Sequence, residues 1–141
     1  MSVLGDIRGA IIDSLSTLDI NSDSGYPGSP IVSPWFEVSL PGDGYVYDQT
    51  MQRGTDQLTL ILRGIVQVGD TVEAQQNMDS WLDPSGSTSV KALVENDRTL
   101  GGKVDDLRVT QVRGHLRMES PDAPNALYLC SEWTLDIVLS P

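Results

Sequence analysis

The chain of 141 residues has one cysteine, one histidine, and nine Lys and Arg against 20 Asp and Glu, and each shortage removes a class of function. With Cys130 alone, no disulfide can form within the chain, so the fold must be held by its core and by partners. Cys130 and His115 together fall short of the roughly four Cys, His or carboxylate ligands that a structural zinc requires. The net charge of −11 repels a polyanion, and nucleic-acid binders draw most of their affinity from cations on phosphate, so tight DNA or RNA binding is not expected. No window approaches the roughly 20 apolar residues that cross a bilayer, and a soluble product without membrane association is expected. Asp6 and Arg8 interrupt the first apolar stretch and no small-residue cleavage site follows it, unlike a signal peptide, so this segment is expected to stay on the mature protein. The phosphate-loop, dinucleotide, nucleophile-elbow and H-E-x-x-H motifs are all missing from the sequence.

What is present is length enough for one core, with roughly two thirds of the unfolded surface buried on folding, and a single domain over residues 1–141 is expected. Leu4, Ile7, Ile11, Leu15 and Leu18 recur at spacings of 3 and 4, which predicts a helix over 2–18. NSDSGYPGSP then reads as a loop, followed by a short strand over 34–40. Residues 41–56, PGDGYVYDQTMQRGTD, are too polar and Gly-rich for core yet carry aromatic side chains, the composition of a long functional loop. In QLTLILRGIVQV, Leu58, Leu60, Leu62, Val66 and Val68 share one face and Thr59, Arg63 and Gln67 the other, which predicts a half-buried strand. Asp70 and Glu73 form a helix-start signal for a helix carrying Val72, Gln75, Met78 and Leu82. Ser87 is the expected cap of a third, shorter helix with Val90, Leu93 and Val94 that ends before the turn at Gly101-Gly102. A strand over 103–118 changes parity near Thr110–Gln111, which predicts a bulge, and after a turn at 120–125 a long alternating strand runs from Leu127 to Leu139. The expected class is α+β: an antiparallel or mixed sheet of about four main strands flanked by the N-terminal and central helices.

Candidates for chemistry are few. His115 lies between Arg113 and Arg117 on the polar parity of a strand, the place of a solvated side chain rather than a general base. Cys130 has no cation beside it in sequence to stabilise a thiolate. Asp105 and Asp106 are neighbours whose side chains would point to opposite faces of a strand, so with Glu95 they supply only a remote metal-dependent alternative. No catalytic residue, metal or cofactor is expected. Short strands that need paired edges, a long aromatic loop and a marked net charge suit a subunit that binds copies of itself or neighbours.

YDQTMQRG at 47–54, WLDPSGSTSVKALVENDRTLGGKVDDLRV at 81–109 and the alternating C-terminal strand with its Tyr-Leu together resemble the tail terminator proteins of long non-contractile-tailed (siphovirus-type) bacteriophages, particularly those of actinobacteria. The sequence departs from that family at LRMESPDAPNALYLC, where the last hairpin is longer. The resemblance implies a virion structural protein with a sheet flanked by helices. It implies a ring, usually hexameric, that caps the tail tube at its head-proximal end, stops tube polymerisation and joins the tail to the head connector. Its partners would be itself, the major tail tube protein and the connector or stopper proteins, with DNA passing through the lumen without specific binding. On that reading acidic residues face the bore, and assembly strengthens as salt screens like-charged subunits. Tyr45, Tyr47, Asp48, Met51 and Arg53 are the candidate contacts to the tube or the neighbouring subunit, because aromatics and Arg contribute most at interfaces. Arg98, Asp105, Asp106 and Arg108 are candidates for ion pairs between subunits or within one. The alternative functions are another head-to-tail joining ring, a connector or stopper, or the tube subunit itself.

Overall fold

The computed structural model describes residues 3–18, 20–22, 26, 34–40, 56–68, 73–120 and 123–139, with backbone alone for 3, 56, 68, 73–75, 115–120 and 123–127. The order is α1 (Val3–Ser14), β1 (Trp35–Ser39), β2 (Asp56–Val68), α2 (Glu73–Leu82), α3 (Val90–Glu95), β3 (Asp106–Ser120) and β4 (Ala123–Leu139). The strands form one antiparallel sheet in the order β1-β2-β4-β3, so the two longest pairings lie side by side at its centre. This is a small α+β fold, with the element types and order that the hydrophobic periodicity predicts.

The side-chain alternation of the strands decides where the core sits. Leu58, Leu60, Leu62 and Val66 of β2 face the same way as Phe36 and Val38 of β1, Leu107 and Val109 of β3, and Leu129, Trp133, Leu135 and Ile137 of β4. Onto this inner face pack Ile7, Ile11 and Leu15 at the end of α1, Met78 and Trp81 from α2, and Val90 and Val94 from α3. Each such fully buried aliphatic side chain stabilises the fold by roughly 1.5–3 kcal/mol relative to exposure. At the centre, Phe36 meets Trp81 edge-on at 5.0 Å and stacks on Trp133 at 6.0 Å. Gly64 of β2 lies beneath these rings, where a Cβ would come within 2.9 Å of Phe36 and 3.2 Å of Trp133.

Several boundaries differ from the sequence expectation. The first helix ends at Ser14 and not at residue 18. Ser14 Oγ donates to the Ile11 carbonyl at 2.5 Å and the chain continues in tight turns to Leu18, because hydroxyl side chains compete for backbone groups. The third helix is capped by Ser89 and not by Ser87: Ser89 Oγ accepts from Ala92 N–H at 3.1 Å and donates to the Asp83 carbonyl at 2.5 Å. A cap needs its acceptor three residues before a free N–H, and the second bond, back to the end of α2, selects Ser89. The fourth strand begins at Ala123 rather than Leu127, since Ser120 already pairs with Ala123. The bulge near Thr110 is present as a register shift between Val109 and Gln111, with a further one between Arg113 and Leu116. The cap expected at Asp70 and residues 41–55 of the loop expected over 41–56 lie outside the described residues, while Asp56 is already the first residue of β2, where it pairs with Leu139. Among those described, no helix is long and apolar enough to cross a membrane.

Candidate interaction surfaces

All three helices cover one face, so the sheet offers two edges and one outer face, and each is treated differently by the sequence. At the β1 edge three outward backbone groups are occupied. Phe36 N–H donates to the Asn21 carbonyl at 2.9 Å, Asn21 N–H to Pro34 at 2.8 Å, and the Arg8 guanidinium reaches from α1 to the Val38 carbonyl. Arg8 also lies over the Tyr26 ring at 4.8 Å. An edge so covered is poorly suited to pair with another strand.

The β3 edge is covered only at its start. The Leu107 carbonyl accepts from Arg98 Nε at 3.3 Å, and Val109 N–H donates to Glu95 Oε2 at 2.9 Å. Arg98 also pairs with Asp106 at 2.8 Å, and Glu95 with Lys91 one helical turn away. Desolvation would raise the Glu95 pKa, but the Lys91 hydrogen bond, the Val109 N–H and the fields of Lys91 and Arg98 outweigh it and lower it. Between the two covers lies a turn with three left-handed residues in succession, Leu100, Gly101 and Gly102, at φ of 50°, 69° and 90°. Asp97 ties it by accepting from Thr99 N–H, Thr99 Oγ1 and Gly101 N–H, bonds that lower its pKa, and Leu100, buried at 4 % exposure, anchors it in the core. Leucine disfavours a positive φ, so its buried side chain holds the strained backbone in place.

The outer face carries a charge ladder across all four strands. Glu37, Arg63, Glu132 and Arg113 stand opposite one another in register. Arg63 contacts Glu132 at 2.6 Å and Glu37 at 3.5 Å, and Glu132 reaches Arg113 at 3.6 Å. Glu37 is 5 % exposed and accepts from Trp35 Nε1 at 3.1 Å. Burial alone would lower the Arg63 pKa, but the Glu132 hydrogen bond and the charges around it raise it further. Beside the ladder, Trp35, Ile65, Tyr128 and Cys130 form a second apolar cluster. Burial pushes the Cys130 thiol up to about 12, which favours its neutral form.

Of the residues singled out by sequence, Tyr45, Tyr47, Asp48, Met51 and Arg53 lie outside the described residues. Arg98 and Asp106 pair within one chain. Arg108 stands exposed opposite Asp136, and Asp105 donates its N–H to the Val138 carbonyl. Among the described residues, no three His, Cys, Asp or Glu side chains converge as a metal site would need. Sequence reasoning missed the ladder and both edge covers. It placed Arg63 and Glu132 on polar strand faces, but only the strand register shows that they meet. The chain matches no protein-family model and no curated protein.

Proposed function

We propose that this chain is the tail terminator of a long non-contractile-tailed bacteriophage. It forms a ring of six copies that caps the tail tube, halts tube polymerisation and offers its other face to the head connector. The observation that carries this reading is the resemblance of residues 47–54 and 81–109 to that family. The second stretch spans the end of α2, α3, the left-handed turn and the start of β3, the segment that carries the α3 cover of the β3 edge. The cover on the β1 edge and on the start of β3 supports it further, since limiting the open edge to one stretch of β3 restricts premature pairing. Termination is then binding without a reaction. The ring matches the tube end, and residues 42–53, with Tyr45, Tyr47, Asp48, Met51 and Arg53, make contact with the tube or the neighbour.

Light scattering across salt and magnesium concentrations, with negative-stain imaging, tests the ring. A closed species near six times 15.3 kDa that grows with salt is expected. Deleting Tyr45 to Met51 is expected to leave a folded chain that no longer caps purified tail tubes. A wild-type chain that neither forms rings nor binds tubes refutes the assignment.

A further inference from the structure

The β3 edge beyond Val109 is the exception to the covering described above. The Val109 and Leu107 groups point outward, and after the bulge the alternation places the N–H and carbonyl of Val112 on the same outward side, because Gln111 and Arg113 pair toward β4. Gln111, Val112, Arg113 and Gly114 are all exposed, and Val112 is 39 % exposed although it stands opposite the core residue Trp133. Next to it, a cavity of about 230 Å³ is lined by Leu82, Pro84, Val109, Val112 and Trp133, with Lys91 at its margin. An open edge beside an apolar cavity is the geometry that accepts an extended segment: main-chain bonds hold it, and an alternate side chain enters the cavity.

Charge indicates the occupant. β3 carries Arg108, Arg113 and Arg117 against Asp106 and Glu119 near its two ends, so its open stretch from Thr110 to Met118 holds Arg113 and Arg117 and no carboxylate, in a chain whose net charge is −11. The Arg113 side chain is 61 % exposed. A symmetric antiparallel pair of β3 edges centred on Val112 would set the two Arg113 side chains diagonally next to each other, which disfavours that pairing. The β1 edge is the poorer donor, because Asn21 and Arg8 already take three of its outward backbone groups. We propose that the open edge of β3 at Val112 and its adjoining cavity dock an extended, carboxylate-bearing segment of a second copy of this chain. Such a contact is head-to-tail, and repeated head-to-tail contacts close into rings. The inference rests on the ring reading and names where neighbouring copies meet.

Val112→Pro is the test variant, since proline is tolerated where the N–H faces away from the sheet. It removes the donor at the docking point and is expected to weaken self-association roughly tenfold or more, with circular dichroism unchanged. Because Cys130 is buried, Val112→Cys supplies one reactive thiol for a photo-cross-linker, and this reports even if the proline variant fails to fold. The cross-link is expected on an acidic stretch of a second copy, located by mass spectrometry. Rings of Val112→Pro that assemble as readily as wild type, or cross-links confined to the same chain or to the tube subunit, overturn this docking site and leave the ring intact. A wild-type chain that never self-associates, free or on tubes, overturns both.

Discussion

Replacing Arg63 by methionine tests whether the cross-strand ladder holds the sheet together. Methionine keeps the apolar stem and removes the cation between Glu37, at 3.5 Å, and Glu132, at 2.6 Å. The two carboxylates then lose the cation they share, and their uncompensated repulsion costs on the order of 1.5 kcal/mol. Loss of the charge-assisted bond to Glu132 adds about 1.5 kcal/mol. The sum, about 3 kcal/mol, against an unfolding entropy of ~0.3 kcal/mol/K for a chain of this length, lowers Tm by about 10 °C. Thermal unfolding followed by circular dichroism at pH 7 is the assay. Adding Glu132→Gln to the variant should recover part of the loss at pH 7. A Tm difference under about 3 °C, or no recovery on adding Glu132→Gln, would refute the reasoning.

Two further perturbations follow from the same geometry. Gly64→Ala pushes a methyl group against the Phe36 ring at 2.9 Å and should cost about 1–3 kcal/mol by overpacking, read as a lower denaturation midpoint with an unchanged m-value; a midpoint equal to wild type would show that the aromatic stack yields freely. Glu95→Gln addresses the β3 cover. The Glu95 pKa is lowered in the fold, so the unfolded chain binds more protons in acid, and its contribution, present above the ordinary carboxylate value near 4.5, is lost as pH falls toward the lowered one. The variant should be less stable by about 1 kcal/mol at pH 7 and show a shallower loss of stability below pH 4.5; parallel acid limbs would remove Glu95 from this role.

The sequence was most informative where one face stayed apolar along a whole element. Leu58, Leu60, Leu62 and Val66, and Trp133, Leu135, Ile137 and Leu139, recur at even spacings over enough positions to fix strand type and buried face although Ile61, Ile65 and Val138 interrupt the polar side, and Ile7, Ile11 and Leu15 do the same at helical spacing for α1. It failed at ends. Ser87 and Ser89 offer the same hydroxyl two residues apart, and the choice between them depends on the Asp83 carbonyl, which a local pattern does not reveal. The bulge at Thr110 was legible because a parity change within one strand has few other causes.

By itself, then, the sequence determined the α+β class, the order of elements, the core face of each strand and the absence of an internal disulfide, because these depend on residue types at short range. The tertiary structure alone decided the strand order β1-β2-β4-β3, and with it which polar residues meet. Glu37, Arg63, Glu132 and Arg113 are scattered over nearly 100 positions of sequence and become one ladder only through register. The same holds for the edges. Arg98 reads in sequence as an ion-pair candidate and Glu95 only as a remote metal ligand; α3 and the turn after it, packed beside β3, make them the covers of Leu107 and Val109 and leave Val112 open. Pairing between distant strands is set by the whole core at once, so no local window of the chain contains it.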